Sequence, residues 1–263
     1  MAIRERPPSR AGLFVLGSLG VRPTCETSRL TRIPTVAMVS VLLRVVADAI
    51  VIAVVLFGAA GTLAWSRAWV LVVVLLIVRL STAIAVFRVN PTLLRERATV
   101  LIHHDQPLAD KVALLAFMTT AFIGVPVVAA LDVFRWHLLP GPPPFLAALG
   151  LVLFVVGWII KALALRENAF AVTVVRKQAE RHHAVVDTGI YKAVRHPMYA
   201  GSPFVHLGLA LWLGSYAAAL YASLPLGLLM VRIGLEERFL RRELPGYADY
   251  VKRVRYRLLP GIW

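Results

Sequence analysis

Residues 197–231 read PMYAGSPFVHLGLALWLGSYAAALYASLPLGLLMV, which is 35 residues without a charged side chain. A single helix of that length would be about 52 Å long at about 1.5 Å per residue. The hydrocarbon core of a bilayer is only about 30 Å thick and needs about 20 apolar residues to cross. The stretch must therefore fold back on itself. Gly214-Ser215-Tyr216 is the natural break, because Gly and Ser favour turn geometry. The reading is two helices forming a hairpin whose ends return to one membrane face.

Other apolar runs extend this pattern along the chain. Ala49 to Ser66, Val112 to Leu131 and Leu138 to Ile160 each reach or approach a membrane span. The 263-residue chain is 59% hydrophobic, above the usual share of a soluble domain. The expected fold is all-α, a polytopic integral membrane helical bundle of about six membrane-embedded helices, the last two forming the hairpin. Spans are expected near 41–64, 68–87, 112–131 and 145–163, with a kink at Pro126. Trp65-Ser66-Arg67 is too short a connection for anything but antiparallel neighbours. Asp48 and Arg79 lie at similar depth in the first two spans, and a structural ion pair is the expected reading.

The net charge of +15 is distributed by loop. The first 37 residues, loop 88–111, loop 161–196 and the tail are rich in Arg and Lys. The connections 65–67 and 132–144 hold only Arg67 and Arg135. This alternation places both termini and both long basic loops in the cytoplasm. It also argues against nucleic acid as a partner, since no basic footprint stands apart from the membrane flanks. Cys25 is the single cysteine, and the pairs His103–His104 and His182–His183 lack chelating spacing, so no metal site is expected. Residues 1–37 read as a cytoplasmic N-terminal extension, and 38–263 as one membrane domain.

Polar and ionisable residues crowd both ends of the hairpin. Before it stands HAVVDTGIYKAVRHPMY (183–199), and after it RIGLEERFL (232–240). Charge at a bilayer boundary is costly unless it binds something. Asp187-Thr188-Gly189 reads as a turn. Pro197 suits the first turn of a helix, whose free N–H groups favour an anion. Arg195, His196 and Tyr199 also fit a plain interfacial anchor. Arg232 and Glu236 are four apart on one helical face. Glu237 and Arg241 have the better order for a surface pair.

The spacing His-x-x-x-x-x-Gly-x-Tyr-x-x-x-Arg-His-Pro-x-Tyr over 183–199, with Glu236-Glu237-x-x-Leu240 and Gly246-Tyr247-x-x-Tyr250, resembles the isoprenylcysteine carboxyl methyltransferase family. That family is related to the phospholipid N-methyltransferases, and the likeness covers about 160–260. The resemblance implies S-adenosylmethionine as cofactor, bound without a Rossmann fold; the chain has no Gly-x-Gly-x-x-Gly. It implies a cofactor pocket lined by His183, Ala184, Val185, Val186, Tyr191, His196, Pro197, Met198 and Tyr199, with Glu236 on the cofactor's ammonium. Arg176 stands where relatives carry a further polar contact. Arg232 matches the substrate-contacting arginine, and Arg232 and Glu237 are the expected catalytic residues.

Methyl transfer from a sulfonium needs alignment and exclusion of water more than acid–base machinery. A carboxylate acceptor is already ionised at neutral pH and needs only a cation to orient it, which Arg232 could supply. An amine acceptor must lose a proton, which would give Glu237 or a histidine a base role. The expected substrate is the carboxylate of a lipophilic molecule, an isoprenyl thioether being the family's suggestion. The alternative is a lipid amine. The expected partners are membrane lipids and that lipophilic small molecule. A transporter would show broken helices repeated in two halves or a row of charges along a span, and neither is visible.

Overall fold

The computed structural model describes residues 27–90, 93, 108–171 and 184–263, with side chains from residue 38 onward. The expectations for His183, Arg176 and the first 26 residues fall outside this set. Seven helical elements follow in chain order. They are α1 (Thr27–Ala60), α2 (Ser66–Phe87), α3 (Leu108–Trp136), α4 (Pro144–Glu167), α5 (Pro197–Leu213), α6 (Tyr216–Glu243) and α7 (Tyr247–Arg253). No strand occurs among the described residues. The molecule is an all-α, multi-pass membrane bundle.

Among the described residues, five helices are long and apolar enough to cross a membrane: Met38–Ala60 of α1, then α2, α3, α4 and α6. The expected six embedded segments include α5, whose 17 residues give about 26 Å at about 1.5 Å per residue, short of a full crossing. Helix α1 begins at Thr27, upstream of the expected boundary at 38. Leu43, Ile50, Val54, Val73, Phe145 and Val152 are exposed, as residues facing acyl chains should be.

The first turn lies at 61–65, slightly earlier than the sequence suggested. Gly61 ends α1 at φ 72°, a conformation that costs little only without a Cβ. In α3 the disturbance at Pro126 takes the form of a π turn over Thr120–Gly124 just before it. The wider turn accommodates a ring that cannot donate an N–H. Asp48 and Arg79 form the expected pair, and the Arg79 guanidinium also lies 5.1 Å from the Trp158 ring centre.

The hairpin breaks where expected. Gly214 caps α5 at φ 97°, and Ser215 Oγ accepts from Ala218 N at 2.9 Å to start α6. Ser215 also donates to the buried Asp132 at 2.6 Å, and Trp212 Nε1 donates to the Arg67 carbonyl at 2.7 Å. The connections near 65, 135 and 215 thus gather at one end of the bundle. The opposite end holds the 184–199 segment, the end of α6 and the tail.

Helices α4 and α5 approach at backbone distance. A Cβ on Gly157 would lie 2.7 Å from the Gly201 carbonyl oxygen, and one on Gly208 2.5 Å from that of Gly150. Two pairs of glycines, each spaced by seven, make this seam. Small residues give membrane helices the close contact that the hydrophobic effect does not provide in lipid. The seam fixes the start of α5, and with it residues 195–199, against the end of α4.

Candidate functional site

The segment before α5 is shaped by one glycine. Gly189 opens a 3-10 turn (Gly189–Lys192) at φ 50°, and a Cβ there would collide with the Glu167 carboxyl group at 2.6 Å. Tyr191 N donates to the Thr188 carbonyl at 2.9 Å, confirming the turn read from Asp187-Thr188-Gly189. The buried Tyr250 of α7 donates its hydroxyl to the Tyr191 carbonyl at 2.8 Å. Burial, foremost, raises the pKa of Tyr250 above the ordinary phenol range, and the same holds for Tyr247. Val185 packs against the cluster of Leu244, Tyr247, Tyr250 and Val254. Ala184 is exposed and Val186 half-buried.

Arg195 and His196 dock the segment onto the tail. Their backbone N–H groups donate to the carbonyls of Tyr256 and Arg257, each at 2.9 Å. Arg195 Nη1 donates to the carbonyls of Val254 and Arg255, each at 2.7 Å. Its Nε donates to Glu237 Oε1 at 2.7 Å. His196 Nε2 lies 3.2 Å from that same oxygen, and Arg257 Nε lies 3.2 Å from Glu237 Oε2. The expected i, i+4 pair of Glu237 with Arg241 is present but long, at 3.8 Å, and Glu237 itself is only 3% exposed. Its carboxylate joins three segments: the hairpin entrance, the end of α6 and the tail. Arg195 is likewise buried, which replaces the simple interfacial anchor with a structural tie.

One face further round, Glu236 and Arg232 meet Tyr199. Tyr199 donates its hydroxyl to Glu236 Oε2 at 2.8 Å, and its ring stacks on His196 with centroids 5.7 Å apart and planes at 13°. The Arg232 guanidinium carbon lies 5.8 Å from the Tyr199 ring centre. Glu236 is half-buried and Arg232 only 2% exposed. Pro197 occupies the first turn of α5, as expected. The Met198 carbonyl accepts from Lys161 Nζ of α4 at 3.0 Å, and the same ammonium donates to Ser202 Oγ at 2.8 Å.

Sequence reasoning missed Asp110. It lies in the first turn of α3, 2% exposed, and accepts from Arg232 Nε at 3.2 Å. An acidic residue at the start of an apolar run looks like an ordinary interfacial charge. The signal was that Arg232 sits at the end of an apolar run predicted to reach the same face. Below this pair, Phe117, Ala121, Tyr199, Leu229 and Ile233 form one apolar cluster that Leu258 of the tail joins. Among the described residues no group of three or more His, Cys, Asp or Glu side chains could hold a metal.

The cluster therefore collects Tyr191, His196, Pro197, Met198 and Tyr199 with Arg232, Glu236 and Glu237 at one end of the bundle. It offers a half-buried carboxylate, a stacked aromatic pair and a buried guanidinium beside an apolar wall. Residues 145–245 match the family model described as phospholipid methyltransferase. That stretch holds α4, the motif string, the hairpin, Arg232 and both glutamates, so the resemblance read from these residues stands. Over this stretch, which is less than half of the chain, the sequence is similar to that of phospholipid methyltransferases. No curated protein matches the chain in sequence. Among solved structures, it is similar to a eukaryotic intramembrane Ras methyltransferase, isoprenylcysteine carboxyl methyltransferase. That likeness has a TM-score of 0.48 and 17% identity, and covers 90% of this chain and 88% of the other.

Proposed function

We propose that this protein transfers a methyl group from S-adenosylmethionine to a lipophilic acceptor at the membrane surface, with a carboxylate as the acceptor group. The observation that carries the proposal is the convergence of Glu236, Tyr199 and Arg232 from opposite ends of the α5–α6 hairpin. The donor set suits the cofactor: Glu236 presents a half-buried carboxylate for an ammonium, and His196 and Tyr199 offer flat aromatic surface beside it. Ala184, Val185, Val186, Tyr191, Pro197 and Met198 would complete its walls. When bound, the cofactor supplies an electrophilic sulfonium methyl group for in-line displacement.

The chain's own residues then have separate tasks. Glu236 holds the cofactor end. Arg232 orients the acceptor head, and the apolar cluster around Phe117 and Leu229 takes the beginning of its tail. Burial excludes water from the head site, which strengthens each charged contact. Glu237 enters as a positioning residue in place of the catalytic role expected from the sequence, because its oxygens are engaged by Arg195, His196 and Arg257. The basic loops support a cytoplasmic location for this end of the bundle.

Asp110 favours a second reading, a lipid amine as acceptor, since a carboxylate beside the head site attracts an ammonium. Labelled cofactor incubated with the membrane protein and a lipid extract separates the two. The carboxylate reading expects a product that releases methanol in mild alkali. An alkali-stable methylammonium product would replace it with the amine reading.

A further inference from the structure

We propose that Asp110 is the residue that selects the charge of the methyl acceptor. The proposal rests on the methyltransferase reading for the meaning of the head site, and on geometry for the rest. Arg232 is the cation that an acceptor anion would seek, yet it is 2% exposed and its Nε already donates to Asp110 at 3.2 Å. An external carboxylate can reach this guanidinium only by sharing it with, or displacing, a carboxylate supplied by α3. An ammonium faces the opposite situation, because it gains Asp110 as a partner and meets an Arg232 whose charge is already compensated.

Charged groups from two helices meet at this position among the described residues. Asp110 comes from α3, while Arg232 and Glu236 come from α6, and Tyr199 of α5 lies between the two α6 residues. Among the described residues these contribute two carboxylates and one guanidinium. In such a buried setting the charge on Asp110 shifts which head group is stabilised, since Coulomb energies at low dielectric are several times those in water. Asp110 therefore acts on specificity through Arg232, without itself touching the transferred methyl group.

Oleate and oleylamine test this, since they share a tail and differ in head charge. Their affinities for the full-length protein in detergent micelles are measured for wild type and for Asp110→Asn, which keeps the shape and an acceptor oxygen for Arg232. Partitioning into micelles is common to both proteins and cancels in the comparison. The expected result is a rise of about tenfold or more in the oleate-to-oleylamine affinity ratio. Asp110→Glu, which restores the charge, should return the ratio towards wild type.

An unchanged ratio in Asp110→Asn would overturn the proposal and leave Asp110 as a packing partner. Failure of oleylamine to bind wild type would also overturn it. Should Asp110→Asn fail to fold, the neutral pair Asp110→Asn with Arg232→Gln leaves no lone buried charge. That double variant should lose head-charge preference, and its retaining the wild-type ratio would count against the proposal. Binding of S-adenosylhomocysteine to wild type is measured in parallel. Its absence would count against the methyltransferase reading while the head-charge result still stood on its own.

Discussion

At the scale of single residues, adjacent glutamates on one helix have different tasks. Glu236 is half-buried and shares one bond with Tyr199, whereas Glu237 is buried and tied to Arg195, His196 and Arg257. Glu236→Gln should weaken cofactor binding by about 1.5–3 kcal/mol, the usual loss for a charge-assisted contact. Arg232→Ala should leave that affinity nearly intact and reduce turnover, as a paired binding and single-turnover measurement would show. Glu237→Gln should act differently again. It leaves buried Arg195 without its counter-charge, and breaking such a pair costs about 3–5 kcal/mol. A thermal melt in detergent should therefore fall by many degrees in Glu237→Gln and little in Glu236→Gln. The sequence made the residues of this cluster visible because they interrupt apolar runs. It could not separate the two glutamates, because their difference comes from a tail more than ten residues downstream folding back onto Arg195.

Among the elements, the α4–α5 seam carries the most structural information per residue. Gly150, Gly157, Gly201 and Gly208 allow backbone contact that any side chain would prevent. Gly208→Val should separate the helices and displace residues 195–199 with them. The expected readout is loss of cofactor binding together with a lowered melt, even though Gly208 is far from the head site in sequence. The break at Gly214-Ser215 was legible because a left-handed Gly and a capping Ser are local signals. The glycine seam was not, since glycine spacing means little until the partner helix is known. The tie between α7 and the 3-10 turn offers a pH test. Burial raises the Tyr250 pKa above its unfolded value near 10, so its share of stability is complete below about pH 10. Above that pH the share falls as the unfolded phenol ionises first. Tyr250→Phe should blunt this alkaline loss in a melt series.

For the whole molecule, charge placement and helix packing agree on a two-ended bundle. One end gathers the connections near 65, 135 and 215, and the other gathers the described residues of the candidate site. Hydropathy alone gave the number of long runs, and the hairpin argument brought the two motif segments together. The proposed cofactor rests on the family resemblance that those segments carry. Single cysteines on a Cys25→Ser background should label from the outside at 138 and 215, and only from the cytoplasm at 250. The central claim is that Glu236, beside Tyr199, holds the cofactor. Titration calorimetry of S-adenosylhomocysteine against the folded wild type and Glu236→Gln tests it most directly. The account predicts micromolar affinity in wild type, about −8 kcal/mol, and at least a tenfold loss in the variant. Equal affinity in the two proteins, or no heat from folded wild type, would contradict it.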